Sequence, residues 1–518
     1  MATIPAETAY LFRHALLRDA AYQLQLPGER ARLHALAFDI LESLHGGPAP
    51  APTPLDSLDT PSFTPHPTDA VAPSLAEHAG LAQQKSEARG GVEEKAWLER
   101  QRRYLRRSAE SAAIHFQYSG ACQAWRSLAG TLEGELRAEA LRRGARFEFQ
   151  LGRIAEAQAS LTSALETFSG KGNRRQQGAT LADLAGVCAG IGRNDEAEPM
   201  YLESIAMLEA CCDPGHLGRA MGELANVYAN TGRQAQAESA NVRALNLHRQ
   251  CGNRRLEAAT LGNLANLRYA MARTQEAEQL HDEALAIARE SGEISLVASL
   301  LSNRANLYVD TGRRADGERD YLVALAMDQQ SGSRRGEGTV LANLAGVYLS
   351  DGRYELAKST YFAALAIHRE TGDRRFEGIA LGNLASVFVE AGELEKAEQT
   401  LKEALAIHQQ VKNRKFEGVA GGNLATLCHL LGRSALAEEL FVQAISIHRE
   451  VGHPRFEGAH LCDYGCFLLE TGRAEAARKT WQAGAALLRQ TGDSNKLARR
   501  LEVMRKSCAK AGVTPLDV

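Results

Sequence analysis

Residues 341–375 read LANLAGVYLSDGRYELAKSTYFAALAIHRETGDRR. Leu341, Leu344, Ala345 and Tyr348 fall at i, i+3, i+4 and i+7, one stripe of an α-helix. Gly352 ends that helix, in the left-handed conformation that glycine adopts at least cost. Ala357, Tyr361, Ala364 and Leu365 form a second stripe, which Gly372 closes, and Asp373 is placed to cap the helix that follows. The stretch predicts two helices joined by a short turn.

The same unit recurs in both directions. Gly-Arg turns stand at 152, 192, 232, 312, 352, 432 and 472, all in one 40-residue register. A second glycine series stands twenty residues away, at 172, 252, 292, 332, 372, 452 and 492. Nine units therefore run over 138–497. Ala145, Ala185, Ala225, Ala265, Ala305, Ala345, Ala385 and Ala425 occupy one column, which Gly465 completes, and Ala157, Ala197, Ala237, Ala277, Gly317, Ala357, Ala397, Ala437 and Ala477 another. Small side chains there let helix axes approach closely. Tyr201, Tyr321, Tyr361, Phe441 and Trp481 fill the space between neighbours. One helix pair cannot bury its own apolar face, so the units must stack into a solenoid.

Leu344-Ala345-x-x-Tyr348 followed by Ala357, Tyr361 and Ala364 resembles the tetratricopeptide repeat. The resemblance implies an all-α, right-handed superhelix. The period of 40 exceeds the family's ~34, and the proline that often closes a family repeat is absent. The recurring phrase LGNLAxxYxxxGRxxxAExxYxxALAIHRExGDRR resembles kinesin light chain repeats and, more closely, the repeat arrays of bacterial signal-transduction ATPases. Phe12, His14, Ala15, Leu16, Asp19, Ala20, Ala21 and Tyr22 match a segment that follows the nucleotide-binding core in those ATPases. No G-x-x-x-x-G-K-[ST] loop occurs, so the chain resembles the sensor half of such a machine without its motor.

The expected organisation is a helical segment over 1–45, a Pro-rich flexible linker over 46–75, a helical lead-in over 76–137, the array over 138–497, and a capping helix and tail over 498–518. The linker holds eight of the fourteen prolines, a composition that favours extended chain. Lys+Arg total 60 and Asp+Glu 63, so the chain lacks the basic footprint of a nucleic-acid binder. No apolar run is long enough for a membrane span, and the N-terminus lacks a signal-peptide pattern. Nine cysteines without a disulfide framework fit a reducing cytoplasm.

No enzyme motif is present, and neither a cofactor nor a metal site is expected. Cys462 and Cys466 share a helix face, but the same columns are small or apolar in other units, which favours packing. His248, His368, His408 and His448 recur once per unit and read as solvated, helix-end residues. The Arg pairs beginning at 174, 254, 334 and 374, with Arg414-Lys415, read as a ridge neutralised by Glu257, Glu337, Glu377, Glu417 and Glu457.

The strongest functional signal is a ladder of amides. Asn263, Asn303, Asn343, Asn383 and Asn423 hold one position in five consecutive units, and Asn226, Asn266 and Asn306 lie three residues after it. An i, i+3 relation puts both columns on one helix face. Small neighbours (Gly222, Gly262, Ser302, Ala342, Gly382, Gly422) would let an extended segment come close, whereas Asp183, Glu223 and Asp463 interrupt the ladder toward its ends. An amide side chain can match a peptide group as both donor and acceptor. The family resemblance implies that the first helix of each unit lines the concave surface and that these Asn contact a ligand's backbone. A bracing role between helices stays open. The expected function is a non-enzymatic scaffold or sensor for a protein or peptide. The alternatives are a regulatory subunit acting on an ATPase or kinase in trans, or a self-associating solenoid.

Overall fold

The computed structural model describes residues 26–55, 63–83, 91–271, 273–491 and 494–516. Among them are 23 α-helices and one 3-10 helix, with no strand. The chain divides into two compact units, Met1–Phe147 and Glu148–Val518. The motif at 12–22 lies outside the described residues.

In the first unit, helices Pro27–Leu44, Ala72–Gln83 and Gly91–Ile114 meet around Phe38, whose ring stands edge-on to Trp97 at 5.3 Å and to Tyr104 at 5.6 Å. The described parts of the Pro-rich segment are not a free linker. Ala49 and Leu55 are buried. Tyr104 Oη donates to Glu42 Oε1 (2.6 Å) and accepts from the Ala49 amide (3.2 Å). Arg103, Arg106 and Arg107 donate to the carbonyls of Ala49, Thr53 and Thr64, and Arg107 pairs with Asp69 at 2.7 Å. Extended, proline-rich chain leaves its carbonyls without helical partners, and arginines on one long helix supply the donors.

The second unit repeats one design. The first helix Arg374–Glu390 and the second helix Leu394–Gln410 have 17 residues each. Three-residue turns join them, so helix and turn together account for the twenty-residue half-period. Gly352 has φ 72° and Gly372 φ 67°. The Arg353 amide reaches back to the Tyr348 carbonyl at 2.8 Å, so the turn satisfies a helix-end acceptor. Asp373 accepts from the Phe376 amide at 3.2 Å and caps the next helix. Ala345, Ala385 and Ala425, with Ala357, Ala397 and Ala437, are at most 1% exposed. At Gly465 a Cβ would meet the Trp481 backbone at 3.1 Å, which is why the column ends in glycine.

First helices of successive units touch one another, whereas each second helix packs chiefly on the first helices that flank it. The first helices therefore lie on the inside of the curve. The curve also returns on itself. Gly152 lies against Val411, Gly192 against Val451, and Gly232 against Thr491. Asn194 Nδ2 donates to the Val451 carbonyl at 3.4 Å and Gln234 Nε2 to the Thr491 carbonyl at 3.3 Å, both pairs 257 residues apart. This seam joins turns about six and a half units apart.

Candidate peptide-binding face

The ladder lies on the inner helices. Asn266, Asn306 and Asn383 are exposed, and Asn226, Asn263, Asn303, Asn343 and Asn423 are half-buried. Asn306 Oδ1 accepts from Tyr321 Oη at 2.6 Å. Among the described residues no other ladder amide has a side-chain hydrogen-bond partner. The acids that interrupt the ladder are engaged: Asp183 pairs with Arg219 at 2.9 Å and Asp463 with Arg500 at 2.8 Å.

The small neighbours divide into two kinds. A Cβ at Gly382 would meet nothing within 4 Å, so that position opens the surface beside Asn383. At Gly262 a Cβ would stand 2.5 Å from Leu300 Cδ2, and at Gly422 it would meet the His460 ring. Those glycines admit side chains of the next unit rather than a ligand, which corrects the expectation of a uniform small-residue track.

The recurrent histidines are not solvated. His248, His368, His408 and His448 are at most 2% exposed. Each ring lies over a glycine of its own unit's first helix, respectively Gly218, Gly338, Gly378 and Gly418. A histidine ring fits there because no Cβ occupies the space. Reading the two columns together reveals the signal: where the glycine is Ala258 or Ala298, the partner thirty residues on is Ala288 or Asp328.

The Arg ridge is neutralised as expected at its first column. Arg374 pairs with Glu377 at 2.5 Å, Arg414 with Glu417 at 2.9 Å, and Arg254 with Glu257 at 2.8 Å. Glu257, Glu337, Glu377 and Glu417 are buried in the process. The second column pairs across units instead, Arg175 with Asp213 and Arg335 with Asp373. Cys428 and Cys462 are buried, and burial pushes the Cys462 thiol up to about 12, as expected of packed rather than reactive sulfur. Among the described residues no three His, Cys, Asp or Glu side chains are grouped to hold a metal ion. No described helix is long and apolar enough to cross a membrane.

The tetratricopeptide repeat family model matches residues 136–210, 216–290 and 337–410. The search of curated proteins gives no match. Among solved structures, a Rap protein complexed with competence and sporulation factor is 12% identical, with TM-score 0.50, over 74% of this chain and 99% of that one. A signal transduction ATPase with numerous domains and a tetratricopeptide repeat sensor, from Pyrococcus horikoshii, is 14% identical, with TM-score 0.42, over 96% of this chain and 64% of that one. A kinesin light chain with nearly identical tetratricopeptide-like repeats, from Podospora anserina, is 18% identical, with TM-score 0.31, over 37% and 93%. At 12% identity the likeness to the Rap protein is one of fold.

Proposed function

We propose that this chain of tetratricopeptide repeats is a non-catalytic scaffold that holds an extended peptide or partner segment along its inner helices, through the ladder Asn226 to Asn423. The observation that carries the reading is the unused hydrogen-bonding capacity of Asn343, Asn383 and Asn423 in consecutive units, with open space at Gly382. Buried or half-buried amides that braced the array would be paired within it. These amides are instead available to a peptide backbone, which offers a donor and an acceptor at every residue.

The test is the double variant Asn343→Ala, Asn383→Ala. If each amide bonds a bound backbone, losing both costs about 1–3 kcal/mol of binding, roughly a ten- to hundred-fold loss of affinity. Melting temperature should hardly move, because neither side chain is in the core. Partners recovered with the native protein, identified by mass spectrometry, supply the ligand. A large drop in melting temperature with unchanged affinity would make the ladder a brace and remove the reading.

A further inference from the structure

The second basic column obeys a rule that two units break. In each unit this residue is the second of the first helix, and the N-cap of the following unit's first helix lies 38 residues on. Where the column is basic, that cap is generally acidic. Arg175 pairs with Asp213 at 2.6 Å, Arg255 with Glu293 at 3.8 Å, and Arg335 with Asp373 at 2.7 Å. Where the column is uncharged, at Gly215 and Ser295, the following cap is neutral, Asn253 and Ser333. Charge is thus matched across the unit boundary.

Arg375 and Lys415 are the exceptions. Their expected partners are Asn413 and His453, neither of which carries a carboxylate. Asn413 is 2% exposed, and neither its amide nitrogen nor its amide oxygen has a hydrogen-bond partner. His453 is 4% exposed, and both ring nitrogens lack one. Arg375 Nε is buried and unpartnered too. No carboxylate among the described residues pairs with Arg375 or Lys415. The charge of Asp373 is felt by Arg375, but its ion pair, at 2.7 Å, is with Arg335. Lys415 Nζ instead lies 5.5 and 5.7 Å from the rings of Phe416 and Phe456, and Lys496 Nζ stands 4.9 Å from the same Phe456. Burial and the neighbouring cations Arg375, Arg455 and Lys496 push the Lys415 ammonium down to about 8. Adjacent like charges beside buried, unsatisfied polar groups are costly unless an anion joins them.

We propose that Arg375, Lys415, Asn413 and His453 form a binding site for an external oxyanion, a carboxylate or a phosphate, which takes the place that Asp213, Glu293 and Asp373 fill in the other units. The chemistry is that of charge-assisted hydrogen bonds: guanidinium and ammonium supply charge, and the amide and imidazole supply further donors. Both cations are partly exposed, so the site is open to solvent. It adjoins the seam, because Gly192 lies against Lys415. The site stands independently of the Asn ladder, since a free anion suffices to test it.

The experiment titrates the full chain with inorganic phosphate and, separately, with a capped tetraglutamate peptide. Binding is read by calorimetry and melting temperature, at constant ionic strength with chloride as the control. At least one oxyanion should bind and raise the melting temperature where chloride does not. Lys415→Met should weaken that binding about tenfold or more. Asn413→Asp is the decisive variant: it supplies the missing carboxylate internally, so it should raise the melting temperature of the ligand-free chain and abolish the response to anion. Binding of phosphate alone identifies a phosphate source. Binding of tetraglutamate alone identifies acidic peptide, and binding of both a general oxyanion site. No binding beyond chloride, or binding unchanged in both variants, overturns the proposal.

Discussion

At the scale of the residue, the buried histidines set how the protein answers acid. His408 sits over Gly378, where a Cβ would stand 2.6 Å from its Cε1, and its ring stacks on Phe416 at 5.6 Å. Burial first, then Arg375, holds it down to about 4, and burial, with the His460 ring and Lys415 beside His448 and with Arg500 and Lys496 beside His460, holds both of those paired rings well below the ordinary range. The unfolded chain takes up these protons near the ordinary value of about 6.5. The folded chain refuses them until far lower pH. Stability is therefore fully present above about pH 6.5 and falls as pH drops toward 4, by up to about 1.4 kcal/mol per pH unit for each such ring. Asp328 stands in the same column, and its carboxyl, pushed up to about 6 by burial, has the opposite sign. It offsets one ring of several. Urea midpoints at pH 7.5, 6.0 and 5.0 should decline in that order, and His408→Gln should flatten the decline. A midpoint independent of pH over this range would contradict the burial of these rings.

At the scale of the element, close helix approach rests on a few glycines. Gly458 and Gly484 face each other across a helix pair, and a Cβ at Gly484 would come within 2.6 Å of the Gly458 carbonyl oxygen and 2.8 Å of the Cys462 amide nitrogen. Backbone cannot step aside as a side chain can. Gly484→Ala should therefore destabilise by about 1–3 kcal/mol of overpacking strain, against a gain of at most about 1 kcal/mol in helix propensity. A thermal melt that rises on substitution would show that the helices have room. Helix pairs of this kind were legible in the sequence because their determinants are local. Gly352 and Gly372 mark the turns, Ala345 and Ala357 the crossings, and Asp373 the cap. Determinants that depend on two distant positions were not legible from one column at a time. His368 reads as a polar helix end until it is matched with Gly338. Residues 46–55 and 63–66 read as linker because the arginines that hold them lie tens of residues away on another helix. The amide ladder was placed by its spacing, but which of its glycines open to solvent depended on Leu300 and His460 in the next units.

At the scale of the whole repeat unit Glu148–Val518, the seam turns a string of helix pairs into a body with long-range contacts. An open solenoid is held by nearest neighbours alone. Here Asn194 and Gln234 bond to carbonyls of much later units. Gly192 has φ 92°, and a Cβ there would stand 3.3 Å from Lys415 Cβ. Gly192→Trp should wedge the seam apart. Small-angle scattering should record a larger radius of gyration while circular dichroism keeps its helical signal. An unchanged radius would mean that the turns can absorb the bulk. The seam also imposes arithmetic on gene duplication. A forty-residue copy inserted between Gly232 and Val411 would carry Val411, Val451 and Thr491 one step past their partners, whereas a copy added after Thr491 would leave all three pairings intact. The middle of the array is length-locked, and lineages should gain or lose units at its margins.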